Sequence, residues 1–128
     1  MNNTNADYHQ FCINWLNAWT GNKPAKLLAF YAEDAFYSDP ANPAGLNGVA
    51  QMSKYFEKLL AKNPEWIWTP LEIFNTEKGF TLKWEAVIPV KEKQLVISGL
   101  DIVELTGDRI TRNEVYFDRT PWLQLVTG

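Results

Sequence analysis

The stretch FTLKWEAVIPV, Phe80–Val90, decides how this chain is read. Phe80, Leu82, Trp84, Ala86 and Ile88 fall on one face, and Thr81, Lys83 and Glu85 on the other. A period of two marks a strand with one buried side. Short turns bracket it, Glu77-Lys78-Gly79 before and Lys91-Glu92-Lys93 after. Leu95–Leu105 then reads as a strand that is apolar on both faces. Beyond the turn Thr106-Gly107-Asp108, Arg109–Arg119 reads as the last strand. Turns this short force neighbouring strands to run antiparallel, so this half is a meander. Upstream, Trp66–Asn75 is a strand region interrupted by Pro70, which suits an edge or a bulge.

The first half has a different period. Tyr8, Phe11, Cys12, Trp15, Leu16 and Trp19 recur at spacings of three and four, the mark of an amphipathic helix, and Gly21 and Asn22 stop it. Pro24 opens a second short helix with Leu27, Leu28 and Tyr31 inward. Ala35–Ser38 reads as a short strand. Asp39–Asn47 (DPANPAGLN) is dense in Pro, Asn and Gly and reads as a loop. Asn47 caps a third helix whose Val49, Met52, Phe56, Leu59 and Leu60 form one stripe, and Asn63-Pro64 ends it. Helices first and a meander afterwards define an α+β fold, a curved antiparallel sheet wrapped around N-terminal helices.

At 128 residues the chain is one domain. We expect a flexible N-terminus over 1–7, the domain over 8–120 and a tail over 121–128. A domain of this size buries roughly 70% of its unfolded surface, so it needs no staples. Aromatics make up 14% of the chain, with six Trp, more than a core needs. That excess points to an aromatic-lined cavity or interface. The net charge is −3 and basic residues do not cluster, which argues against nucleic acid. Cys12 stands alone and reads as a small buried hydrophobe. The N-terminus has neither the basic region nor the apolar core of a signal peptide, and no apolar run approaches a membrane span. These features point to a reducing cytoplasm.

Asp101 is the most informative residue. Strand parity places it with Leu95, Ile97, Val103 and Leu105, a carboxyl in an apolar row. Such a carboxyl acquires a raised pKa or a partner. It is a site candidate, or else an outward residue after a register slip, or one half of an ion pair with Arg112 or Arg109. Asp39 precedes Pro40, and Asp-Pro commonly opens a turn, so its functional reading competes with a local one. His9 is the only histidine, so a Ser-His-Asp triad would have to use it. Metal-ligand spacings and glycine-rich phosphate loops are absent, so no metal and no nucleotide cofactor is expected. The six Trp are mostly core by default, with one or two facing a ligand. In the last strand Arg112, Glu114, Tyr116 and Asp118 share a face, and Asn113, Val115 and Phe117 form the opposite one, suited to a pocket wall.

The phrase LLAFYAEDAFYSDP, followed by a Pro/Gly loop and the helix GVAQMSKYFEKLL, resembles the ketosteroid isomerase pattern. The ending GLDIVELTGDRITRNEVYFD resembles the last two strands of SnoaL-like proteins. Over about residues 8–120 the chain therefore resembles the SnoaL-like branch of the nuclear transport factor 2-like superfamily. That resemblance implies a cone-shaped, cystatin-like fold with an internal pocket. The same fold hosts isomerases, cyclases and non-catalytic modules, so function must come from the site. Carried over, Asp39 matches the isomerase's catalytic base, and Asp101 matches its protonated, hydrogen-bond-donating aspartate. Two departures matter. The isomerase's first-helix tyrosine falls near Asn14 or Trp15, and its third-helix tyrosine aligns with Phe56, beside Tyr55. Epoxide hydrolases of this fold need an arginine where Gly99 stands.

The expectation is a small apolar ligand and no cofactor. As an enzyme, the chain would be an isomerase or polyketide cyclase-like lyase moving a proton on a carbonyl compound. Asp39 and Asp101 would be catalytic, and Trp15, Tyr55, Phe56, Trp84, Asn113, Val115 and Phe117 would bind the ligand. The alternative is a non-catalytic ligand-binding or dimerisation module. A homodimer is expected through the outer face of the sheet, because Val96, Leu100 and Ile102 are apolar where helices cannot cover them. Tyr116 would add an aromatic anchor, and Arg112 and Glu114 would pair across the two-fold axis. The competing cover is Thr120–Gly128, with Trp122, Leu123 and Leu125 folded over the same face.

Overall fold

The computed structural model describes residues 7–127. Residues 1–6, most of the expected flexible N-terminus, lie outside the described residues. Four helices, α1 (His9–Asn17), α2 (Pro24–Leu28), α3 (Val49–Lys62) and α4 (Thr120–Thr127), accompany six strands: β1 (Tyr31–Asp39), β2 (Asn42–Asn47), β3 (Ile67–Asn75), β4 (Gly79–Val90), β5 (Lys93–Thr106) and β6 (Arg109–Tyr116). The strands form one sheet in the order β2-β1-β6-β5-β4-β3. The meander β3 to β6 is antiparallel throughout, as its short turns require.

The sheet departs from the expected all-antiparallel one at a single pairing. β1 runs parallel to β6, with Tyr37 opposite Asn113. The connection between them spans α3 and four strands, so no turn dictates its direction. β1 also begins at Tyr31, four residues earlier than expected. The stretch Ala32-Glu33-Asp34 shows no apolar alternation, and the pairing register shifts between Tyr31 and Phe36. The expected loop Asp39–Asn47 holds β2, an edge strand paired only to β1, where Pro43 removes no needed donor. Gly45 is required there: its φ is +90°, and a Cβ would lie 2.2 Å from the Phe36 ring.

The third helix starts differently from the expected asparagine cap. Gly48 is the N-cap, at φ +87°, and the Asn47 N–H is taken by Gln51 Oε1 at 2.8 Å. Its Met52, Phe56 and Leu60 are buried at the expected spacing. Pro70 lies where the β3–β4 register shifts, so β3 is both an edge and bulged. Phe80, Leu82, Trp84, Ala86 and Ile88 of β4 are all buried. Each large side chain among them contributes roughly 1.5–3 kcal/mol by leaving water. Phe80 meets Tyr8, Phe11 and Trp15 of the first helical segment, and Trp19 meets Trp66 and Trp68. These contacts hold the helices against one face of the sheet.

The expected tail is helical. Trp122 of α4 lines the interior pocket, and Leu125 packs against the core. It does not cover the outer sheet face, where Val96, Leu100 and Tyr116 remain exposed. Arg112 and Glu114 pair with each other inside one chain, and Arg112 also reaches Glu104 at 3.2 Å.

Candidate functional site

The helices and the sheet enclose a cavity of about 70 Å³. Trp19, after α1, and Tyr55, on α3, enter it from the helical side, and Trp122 comes from α4. Tyr37, Trp68, Trp84 and Phe117 come from or beside the strands, and Trp66 precedes β3. Five Trp thus face the cavity, more than the one or two that the sequence suggested. Trp68 packs edge to face against Trp84 at 4.7 Å and against Trp66 at 4.9 Å, and Trp66 does so against Trp19, so these four rings hold one another in place. Trp68 Nε1 is the one buried side-chain polar atom without a partner among the described residues.

Two carboxyls join this aromatic wall, Asp39 and Asp101. Asp101 sits on β5 with Val115 of β6 as its cross-strand neighbour. Its side chain is buried between two donors, one for each oxygen. Trp84 Nε1 donates to Oδ1 at 2.7 Å, and Asn113 Nδ2 donates to Oδ2 at 2.9 Å. Neither candidate arginine pairs with it. Arg112 is held by Glu104 and Glu114, and Arg109 bonds the Ala29 carbonyl and lies near Asp108. Burial pushes the Asp101 carboxyl up to about 7, against the pull of its two hydrogen bonds and with a small push from the Asp39 charge.

Asn113 is itself aimed. Its Oδ1 accepts from the Tyr31 hydroxyl at 2.7 Å, and Tyr31 accepts from Trp15 Nε1 at 3.3 Å. Every donor in this chain points towards Asp101, which fixes the Asn113 amide with its nitrogen on the carboxyl. Cys12 also lies in the core, and burial pushes its thiol up to about 12.

Asp39, at the end of β1, is a different kind of group. Oδ2 accepts from Tyr37 at 2.8 Å and from Tyr55 at 2.6 Å. Oδ1 accepts from the Ala41 and Asn42 backbone N–H groups at 3.0 and 2.8 Å, and from Asn42 Nδ2 at 3.1 Å. The Asp-Pro turn expected from sequence is therefore real, and it is tied into the pocket wall by two phenols. Burial, with Asp39 beside them, pushes both phenols above the ordinary tyrosine range.

Of the residues singled out in the sequence, Asp39, Tyr55, Trp84, Asp101, Val115 and Phe117 line the cavity. Trp15, Phe56 and Asn113 do not; they stand behind it. Trp15 and Asn113 serve the Asp101 network, and Phe56 packs edge-on against Tyr37 at 5.0 Å. Sequence reasoning missed Tyr31, Tyr37 and Arg119. Tyr31 is expected on the second helix and instead begins β1, while Tyr37 lies within the expected strand but meets Asn113 only through the β1–β6 pairing. Among the described residues no three His, Cys, Asp or Glu side chains gather as a metal site would need. No helix there is long and apolar enough to cross a membrane.

A curved sheet folded over helices, with a carboxyl-bearing aromatic pocket between them, is the cone fold of nuclear transport factor 2-like and ketosteroid isomerase-like structures. The SnoaL-like domain matches residues 13–113, and the chain belongs to that family. It is similar in structure to a ketosteroid isomerase-like protein from Catenulispora acidiphila solved with trimethylamine (21% identity, 93% of each chain, TM-score 0.81). It is also similar to TerC co-crystallised with polyporic acid (10% identity, 93% of this chain and 97% of that one, TM-score 0.77). A third neighbour is a polyketide cyclase candidate from Acidithiobacillus ferrooxidans (20% identity, 91% and 92%, TM-score 0.73). No curated protein matches.

Proposed function

We propose that the chain binds a small, largely apolar carbonyl compound and moves a proton on it without a cofactor, in the manner of an isomerase or cyclase. Asp101 is the group that exchanges the proton. The observation that carries this reading is its placement: a buried carboxyl on the wall of an aromatic pocket, with one donor on each oxygen and no arginine paired to it. One lone-pair site per oxygen remains for a substrate proton. A carboxyl titrating near neutrality can take a proton from carbon and return it to carbon. Two neighbours solved with small molecules support a small-molecule occupant, and the neighbouring polyketide cyclase candidate supports cyclase-type chemistry.

The resemblance gives the base role to Asp39. In our reading that role passes to Asp101. Five donors converge on the two oxygens of Asp39, against about four lone-pair sites, which leaves no place for a substrate proton. Asp39 instead positions the wall. Its saturation also favours the second reading, a binding module with no turnover, because it leaves a single available carboxyl.

Exchange of the α-protons of α-tetralone in deuterated water, followed by NMR, separates the two. Acceleration by the wild type, reduced about 100-fold or more in Asp101→Asn, is the expected result. Binding without acceleration over buffer would leave the module. Equal acceleration by Asp101→Asn would remove Asp101 from the chemistry.

A further inference from the structure

The chain contains three arginines, and two are engaged. Arg109 bonds the Ala29 carbonyl, and Arg112 is shared by Glu104 and Glu114. The third, Arg119, lies between β6 and α4 and lines the cavity. Among the described residues its guanidinium has no ion-pair or hydrogen-bond acceptor. It stands near enough to Tyr55 to favour that phenol's ionised form. The obvious internal partner, Asp39, is already saturated by two phenols, an asparagine and two backbone N–H groups. Arg119 is therefore the one cation among the residues that line the cavity, and no described acidic side chain pairs with it.

From this we infer that the pocket's ligand is a flat organic acid: a ring system inserted between the tryptophans, with a carboxylate or acidic enol on Arg119. The inference rests on the proposed function only for the pocket being a ligand site, and it adds the charge of the occupant. A guanidinium offers paired N–H donors matched to a carboxylate. The tryptophan edges and faces accept a planar body. Arg119 adjoins α4, and Trp122 of that helix lines the same cavity, so the acid group sits at the α4 side while the rings reach Trp84 and Asp101. The polar end is thereby fixed, and it decides which part of the ring system meets the Asp101 carboxyl. Arg119 is a specificity-determining residue in this arrangement.

The test compares 2-naphthoate with 2-naphthamide, which share rings and shape and differ in charge. Calorimetric titration at pH 8 and low salt uses the full chain as wild type, Arg119→Gln, Arg119→Lys and Asp101→Asn. The wild type should bind the naphthoate about ten-fold more tightly than the amide, the effect of one partly screened charge pair. Arg119→Gln should bring the ratio to about one with an unchanged melting temperature, and Arg119→Lys should keep part of it. Asp101→Asn should retain the preference, since it acts on the proton and not on the anchor. Equal binding of both probes by the wild type, or an undiminished ratio in Arg119→Gln, overturns the anion assignment and leaves the proton-transfer reading standing. Binding of neither probe overturns both the assignment and the pocket's role as a ligand site.

Discussion

Asn113 donates from Nδ2 to Asp101 Oδ2 over 2.9 Å, and its own orientation is locked from behind by Tyr31. This bond, with that from Trp84, decides what happens when Asp101 is removed. The sequence alone suggests that Asp101→Leu is neutral or stabilising, because an unpaired buried carboxyl gives way to an apolar group. Two buried donors that lose their acceptor reverse that sign, at roughly 1–3 kcal/mol each. The loss should also depend on pH. Folded Asp101 titrates near 7 against 3.8 for the free group, so between those values the folded chain holds a proton that the unfolded chain has released. The resulting support for the fold is full below about pH 4 and is lost as pH rises through 7. Urea melts should therefore show Asp101→Leu clearly destabilised at pH 5 and much less so at pH 8. A difference that stays constant across this window would mean Asp101 is ionised throughout.

Tyr55 joins α3 to the end of β1 through Asp39 Oδ2. A hydrogen bond to a charged group contributes roughly 1.5–3 kcal/mol. Tyr55→Phe should lower stability by about that amount, and so should Tyr37→Phe. Because the two phenols share one oxygen, their losses should not add in the double variant. Additive losses would show that the hydroxyls act independently.

Gly99 is opposite Trp84 in the β4–β5 pair. A Cβ there would lie 2.5 Å from Trp84 Cζ2 and 2.7 Å from the Tyr116 carbonyl oxygen. The ring cannot yield without disturbing its bond to Asp101. Gly99→Ala should cost roughly 1–3 kcal/mol, and the Asp101 carboxyl, followed by carbon NMR, should titrate higher as the Trp84 donor withdraws. An unchanged titration with lowered stability would place the relaxation at Tyr116 instead.

The outer face of the sheet leaves Val96 58%, Leu100 42% and Tyr116 52% exposed, and α4 lies elsewhere. We expect a second copy of the chain to cover this face, since an apolar patch on neighbouring strands is self-complementary about a two-fold axis. The internal Arg112–Glu114 pair means that charge does not drive this contact. Light scattering at micromolar concentration should give a dimer mass, and Leu100→Glu should give a monomer. A wild-type monomer would refute the interface.

The alternation in Phe80–Val90, the short turns and the helical stripes before them depend on periodicity within a single element. The sequence alone therefore determined the α+β class, the meander and the buried face of β4, and it set Asp101 in an apolar row while leaving open whether its carboxyl faces inward or pairs with an arginine. It also separated Asn113, Val115 and Phe117 from the polar face of β6. The tertiary structure decided everything that depends on distant segments meeting. The parallel β1–β6 pairing is set by a long connection with no local signature. It brings Tyr31 and Asn113 together, and so determines what Asp101 touches. The saturation of Asp39 needs the turn after β1 and a phenol from α3 at one point. The lack of a described ion-pair partner for Arg119 emerges only once Asp39 is tied to Tyr37, Tyr55 and the turn after β1. Local spacing fixes which side of an element is buried; which atoms then share that interior is a property of packing, and the chemistry of this pocket is set there.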